Sequence, residues 1–327
     1  MSVECVLIAR DNADTIGAAI DSVVNRVDGV LVVLNAESDK ETGDAALAAG
    51  ARVVRGGPFR DFASARNEAI QHVRADWVLQ LDTDDTYAFG PDFCGWPTAG
   101  EAHAIVTVCD GLAWKFIRLF RPHLRYKERC HEYISCDVAP LVLGVNYLRT
   151  PPKDPVARAR RNLALLEGGT DARSIFQLAE SYKQMGELVH ALGLFEQRAD
   201  MGEHDEEAFY AALEVARLMV RLSRPASEIS LAYERARSMR PQRAEPYVEH
   251  AKFLRQVGDI TLARDLSRKA TELPPCTDFI FVDIAAHTWR PWAELALTEK
   301  LLGNEAAFRA AYAKMGEWRM DAPPLGP

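Results

Sequence analysis

The hydrophobic periodicity of the chain changes once, near residue 150, and that change limits the possible folds more than any other feature. Before it, strand-like and helix-like stretches alternate. Val3 to Ala9 (VECVLIA) reads as a buried strand, Asp14 to Val24 as a helix, Val27 to Leu34 as a strand and Glu41 to Ala49 as a helix. Ala51 to Val54 reads as a short strand, Asp61 to Val73 as a helix and Trp77 to Leu81 (WVLQL) as a strand. Alternation of this kind predicts a Rossmann-like, mostly parallel sheet, with ligand chemistry outside the carboxyl ends of its strands. Thr150 to Pro155 (TPPKDP) is proline-rich, and beyond it helical spacing continues without strand signals. The expectation is an α/β domain over 1–149 and an all-α domain over 150–327. A chain of 327 residues with 48% hydrophobic content is large enough to bury two cores.

The helical half repeats itself. Ala179-x-x-Tyr182-Lys183-Gln184-x-Gly186-Glu187 returns 72 residues later as Ala251-x-x-Leu254-Arg255-Gln256-x-Gly258-Asp259. Ala236 and Pro241 likewise precede Ala270 and Pro275 by 34 residues. Small residues and Gly-acid turns at that spacing predict helix-turn-helix repeats. The formal net charge of -8 argues against a protein that coats nucleic acid or an anionic membrane through its overall field. No segment is long and apolar enough to span a bilayer, and the apolar run Cys5 to Ala9 is too short for a secretory leader. A cytoplasmic location follows as an expectation, with the six cysteines as thiols.

Asp82-Thr83-Asp84 stands directly after a strand, where carboxylates at i and i+2 face the sheet's carboxyl edge. Hard oxygen ligands at that place suit Mg²⁺ or Mn²⁺ bridging to a diphosphate. Ahead of them lies Asp61-Phe62-Ala63-Ser64-Ala65-Arg66-Asn67-Glu68-Ala69, and Ala75-Asp76-Trp77-Val78-Leu79-Gln80-Leu81 leads into Asp82-Thr83-Asp84-Asp85. Together these closely resemble the signature of family 2 glycosyltransferases with the GT-A fold, and the opening Ala9-Arg10-Asp11-Asn12 fits the same family. The resemblance covers roughly the first 90 residues.

What the resemblance implies is a metal-dependent transfer, with inversion, from a nucleotide-diphosphate sugar, UDP-linked in the first instance. By position it places Ala9, Arg10, Asn12 and Asn35 at the nucleoside, and Arg66, Asn67, Asp82, Thr83 and Asp84 at the diphosphate-sugar and metal. Relatives usually carry Asp-Thr-Gly-Ser-Thr-Asp after the second strand, where this chain has Asn35-Ala36-Glu37-Ser38-Asp39-Lys40. A second family-like block runs from Trp114 through Arg118 and Arg121 to Cys130-His131-Glu132. From it, His131 is expected to join Asp82 and Asp84 on Mn²⁺ or Mg²⁺, and Glu132, with Asp85, to act in catalysis. Trp114, Arg118 and Arg121 are assigned to the acceptor or the departing diphosphate, within a cationic, aromatic strip from Lys115 to Arg129.

The helical half resembles the tetratricopeptide extension of some such transferases, through Phe176 to Tyr182, Met201-Gly202 and Pro241 to Pro246. Repeats of this type bind a peptide or self-associate. The acceptor stays open among a saccharide, a lipid-linked sugar, a peptide side chain and a hydroxylated DNA base. Two rivals bracket this reading. One is a non-catalytic interaction protein built on a worn transferase scaffold, favoured by Asn35 and by the short stretch after Asp85. The other is a nucleotidyltransferase, disfavoured because Arg10-Asp11-Asn12-Ala13 is not a glycine-rich phosphate loop.

Overall fold

Runs of β-branched and apolar residues buried on both faces produce the first strands, β1 (Val3–Ala9) and β2 (Gly29–Leu34), which pair in parallel. The computed structural model describes residues 1–136, 139–166 and 168–320. These fall into two units: 1–110 with 114–154 and 164–166 lie in one, and 111–113, 155–163 and 168–320 lie in the other.

In the first unit, β3 (Arg52–Arg55) and β4 (Trp77–Gln80) extend the parallel sheet on either side. The later strands are β5 (Thr86–Phe89), β6 (Ala102–Cys109), β7 (Leu112–Phe120) and β10 (Leu141–Leu148); the strands run in the order β3-β2-β1-β4-β7-β6-β10-β5. The mostly parallel sheet is therefore mixed beyond β4, where β7 joins antiparallel to β4 and β10 joins parallel to β6 and antiparallel to β5. A separate two-residue pair, β8 (Tyr126–Lys127) and β9 (Tyr133–Ile134), stands off the sheet.

Val3, Cys5 and Leu7 of β1 face α1 (Ile16–Asp21) and α2 (Lys40–Ala48), whereas Val6 faces α3 (Phe62–Ile70). Helix α1 is shorter than the spacing predicts. The Ser22 hydroxyl donates to the carbonyl of Ala19 (2.6 Å) and accepts from the Tyr87 N–H (3.0 Å), closing the helix. Asp39 and Asp61 start α2 and α3 by accepting from the N–H groups of Thr42 and Ser64, both at 2.8 Å. Since β2 and β3 lie on one side of β1 and β4 on the other, the chain order reverses between β1 and β4. A crevice at their carboxyl ends is where such sheets bind ligands.

The second unit follows the proline-rich stretch. After α4 (Pro155–Leu166) come antiparallel hairpins: α5 (Ala172–Gln184) with α6 (Leu188–Asp200), and α7 (Asp205–Arg221) with α8 (Ala226–Met239). Two more follow, α9 (Glu245–Val257) with α10 (Ile260–Thr271) and α11 (Arg290–Leu301) with α12 (Glu305–Met320). The repeated alanines sit where the helices cross, since Ala179, Ala191, Ala251 and Ala263 are all fully buried. Gly186 and Gly258 close α5 and α9 at φ 82° and 97°, a conformation that other residues adopt only at a cost.

His250, on α9, reports the packing of this unit. Arg237 donates to its Nδ1 (2.6 Å), so its proton sits on Nε2, which donates to the Ser230 hydroxyl (3.0 Å). Burial, and then the charge of Arg237, push its pKa down to about 4. The unfolded chain, with a histidine near 6.5, takes up this proton first. The contribution to stability is therefore complete above that value and is lost as pH falls from about 6.5 toward 4. We expect the second unit to lose about 2–3 kcal/mol across that window. The His250→Gln variant should lose less over the same range, as measured by urea unfolding at pH 7 and pH 4.5.

Candidate functional site

Three separated motifs converge at the carboxyl edge beside β4. Arg66 on α3 donates from Nε to Glu132 (2.6 Å) and from Nη2 to Asp82 (2.5 Å), and its guanidinium lies 5.6 Å from the centre of the Tyr126 ring. Burial works against the charge of this arginine, but the two carboxylates outweigh it and raise its pKa. Asp82 shows the mirror effect. Burial opposes its ionisation, yet Arg66 and Arg118 hold its carboxyl well below the usual range. Val6, Ile8, Ile70, Val78 and Gln80 join Arg66 and Tyr126 around a small crevice under this edge.

The rest of the loop after β4 is tied inward. Gln80 donates to Asp82 (2.9 Å), and Arg118 on β7 donates to Gln80 and, at 3.4 Å, to Thr107. Tyr147 on β10 brings its hydroxyl 3.0 Å from Asp82 Oδ2 and 2.7 Å from Asp85 Oδ2, and accepts from the Asp82 N–H at 3.1 Å. Asp85 also accepts from the Thr150 N–H (2.7 Å). Burial, and then the charge of Asp82, push the pKa of Asp85 up to about 6. Thr83 is buried, and Asp84 presents the exposed carboxylate of the loop.

The sequence-predicted residues thus divide. Arg66, Asp82 and Glu132 meet, with Arg118 one side chain away through Gln80. Asp85 is only 2% exposed, so it braces the loop and the chain at Thr150 rather than facing a substrate. Asn67 spends both ends of its amide on the backbone of Tyr126, at 3.0 and 2.8 Å, and anchors β8. The Phe62 N–H donates to the Arg129 carbonyl (3.1 Å), so α3 holds the chain leading to His131 and Glu132 at both Tyr126 and Arg129. His131 is partly buried at φ 55°.

Arg121 requires a correction. β7 runs antiparallel to β4, so its last residues lie at the amino edge; Arg121 sits 3.9 Å over the Trp77 ring and donates to the Asp76 carbonyl (3.3 Å), at the wrong end of the sheet for the site. Trp114, partly buried near the start of β7, lies toward the carboxyl edge.

At the carboxyl ends of β1 and β2 the following loops interlock. The N–H of Asn12 donates to Thr42 (2.8 Å), that of Asp39 to Asp11 (2.9 Å) and that of Asn35 to the Ala9 carbonyl (2.9 Å). Asn12 and Asn35 use their side-chain oxygens to accept the N–H groups of Arg10 and Glu37, both at 3.0 Å, which leaves their amide N–H₂ groups as donors. Arg10 is exposed and pairs with Glu37 at 3.1 Å, an attachment that solvent weakens.

Among the described residues no three His, Cys, Asp or Glu side chains come together as a metal cage. Mg²⁺ and its analogues seldom need one, being held by one or two carboxylates plus substrate phosphates. An exposed Asp84 beside Asp82 fits that mode of binding.

Sequence reasoning missed Gln80 and Tyr147, and it placed Tyr126 in the cationic, aromatic strip without a role of its own. Tyr147 stands 65 residues from Asp82 in an ordinary strand pattern, with no local signal to mark it.

Residues 5–93 match the sequence profile of Glycosyl transferase family 2. A TPR repeat-containing protein of Synechococcus elongatus is 37% identical over 83 residues, which cover 25% of this chain and 20% of that protein. The chain therefore spans about a fifth of the length of this curated relative. Solved structures similar to the chain include MamA, 15% identical with a TM-score of 0.39, covering 52% of this chain and 90% of that one. Another is MamA from Desulfovibrio magneticus, 11% identical with a TM-score of 0.38, covering 50% and 84%. Among the described residues no helix is long and apolar enough to cross a membrane. Over residues 5–93 the α/β part of the chain is similar to glycosyl transferase family 2, and the part after it is built of helix hairpins.

Proposed function

We propose that the α/β unit transfers a sugar, with inversion, from a nucleotide-diphosphate sugar to an acceptor hydroxyl, a UDP-sugar being the first donor to test. The observation that carries this reading is the meeting of Arg66, Asp82 and Glu132 at the carboxyl edge, beside the exposed Asp84.

In the resting site, the fork of Arg66 is neutralised by two carboxylates. A donor diphosphate offers the same paired oxygens and competes for that fork. Arg66 then holds the diphosphate, and Glu132 is released to accept the proton of the acceptor hydroxyl. The acceptor oxygen attacks the anomeric carbon as the bond to the diphosphate oxygen breaks, and the diphosphate leaves with the electron pair. The amide groups of Asn12 and Asn35 offer donors to carbonyl oxygens of a base. Asp84 and Asp82 would hold a Mn²⁺ or Mg²⁺ together with the donor phosphates, and the metal would supply charge neutralisation for the diphosphate.

Calorimetric titration with a panel of nucleotide-diphosphate sugars, in Mn²⁺ and in chelator, tests this directly. One donor is expected to bind only with the metal, and Asp84→Ala should weaken that binding by roughly tenfold or more while leaving the thermal midpoint unchanged. Binding that ignores both chelator and Asp84→Ala would remove the metal from the reading.

The second reading is a repeat-based interaction protein whose α/β unit is not catalytic, with the hairpins binding a peptide or a second copy. What favours it is the internal satisfaction of Arg66 and Asn67. An adequate donor panel with no binding would select it.

A further inference from the structure

We infer that Tyr147 is a positioning residue for the Asp82–Asp85 loop, a role that rests on the transferase reading above. Its ring is fully buried against Tyr87, with centroids 5.2 Å apart, under the guanidinium of Arg118 at 3.3 Å. A phenylalanine would fill that space equally well. What the hydroxyl adds goes entirely to the loop: it accepts from the Asp82 N–H at 3.1 Å and reaches Asp82 Oδ2 at 3.0 Å and Asp85 Oδ2 at 2.7 Å.

One hydroxyl therefore holds the main chain at Asp82 by accepting its N–H and shares its single proton between the two flanking carboxylates, and this sets the direction in which Asp84 between them projects. The strand is shaped for the purpose. β10 carries a register shift between Leu141 and Asn146, and within it Gly144 (φ 71°) passes so close to Phe93 that a Cβ would collide with its backbone. Tyr147 follows that irregularity and pairs in register with Thr107 of β6 and Tyr87 of β5.

Tyr87 supplies a matched control. It is a second buried tyrosine in the same core, and its hydroxyl donates to the Gln80 carbonyl (2.7 Å), not to the loop. The experiment compares the full-length wild type, Tyr147→Phe and Tyr87→Phe by calorimetric titration with UDP, in Mn²⁺ and in chelator. The ratio of the two affinities is the readout, because a general loss of stability lowers both affinities alike.

Tyr147→Phe is expected to shrink the ratio on the order of tenfold, the scale on which a small misplacement of a binding group is felt, while Tyr87→Phe leaves it unchanged. A wild-type ratio in Tyr147→Phe, or an equal loss in both variants, overturns the positioning role alone. A wild type that binds neither UDP nor any other nucleoside diphosphate of the donor panel overturns the transferase reading, and the positioning role with it. Should Tyr147→Phe not fold, hydrogen exchange in the wild type decides. The Asp82 N–H must then be protected like that of Leu79 on β4, and free exchange overturns the inference.

Discussion

Arg66→Met should cost the α/β unit about 3 kcal/mol and abolish nucleotide binding together. The arginine side chain is 10% exposed and its partners Asp82 and Glu132 are 31% and 13% exposed, so removing it leaves two carboxylates facing each other in a half-dry site. Loss of one partner of a fully buried pair costs about 3–5 kcal/mol, and the partial exposure of Asp82 puts the expectation at the low end of that range. Arg66→Lys tests the fork. An ammonium is a point charge that cannot satisfy two carboxylates in divergent directions, so lysine should recover part of the stability and little of the nucleotide affinity. Urea unfolding, read by hydrogen exchange on peptides from residues 1–110, separates this loss from the helical unit. Full recovery by lysine would show that charge alone matters at this position.

The parallel half of the sheet was legible in the sequence because β1, β2 and β4 are short apolar runs and α2 and α3 begin at aspartates that cap them. Both signals are local. The mixed half was not legible, since where β7 and β10 insert depends on pairings across many residues that no single stretch encodes. The site divides in the same way. Arg66 and Asp82 were found from motif spacing, and the structure brings them together at 2.5 Å.

The motif gave each residue a chemical type but not a partner. Asn67 reads as a ligand group and serves the backbone of Tyr126; Asp85 reads as part of an acidic cluster and anchors Thr150. Arg121 fails for a geometric reason. Three residues after Arg118 on an antiparallel strand, it is carried to the opposite edge of the sheet, and residue type alone carries no strand direction. In the helical unit the echo from Ala179 to Ala251 was readable because hairpin packing demands small residues at fixed intervals.

Arg243→Met should destabilise the helical unit by about 4 kcal/mol, and the reason lies in an excursion between α10 and α11 that breaks the regular spacing of the hairpins. The side chain of Arg243 is fully buried. It donates to Glu245 at 2.7 Å, to Asp278 at 3.3 Å and to the carbonyls of Ile280 and Phe281 at 3.1 and 2.9 Å. Glu206 of α7 accepts the N–H groups of Phe279 and Ile280, and the Phe281 ring packs 4.9 Å from Tyr210. One arginine thus links the start of α9 to a segment that lies across the first helix of an earlier hairpin. Its removal strands a carboxylate at Glu245 that is only 1% exposed, with His287 and the Asp283 N–H as its remaining partners. The double variant Arg243→Met/Glu245→Met removes both charges, while Asp278 keeps Arg240 at 2.5 Å. It should therefore be more stable than Arg243→Met alone, because a buried pair is costly to halve and cheap to replace whole. Urea unfolding of the two variants and of Glu245→Met completes the cycle. Additive losses would mean that Arg243 acts through the carbonyls of Ile280 and Phe281 and owes nothing to its pairing with Glu245.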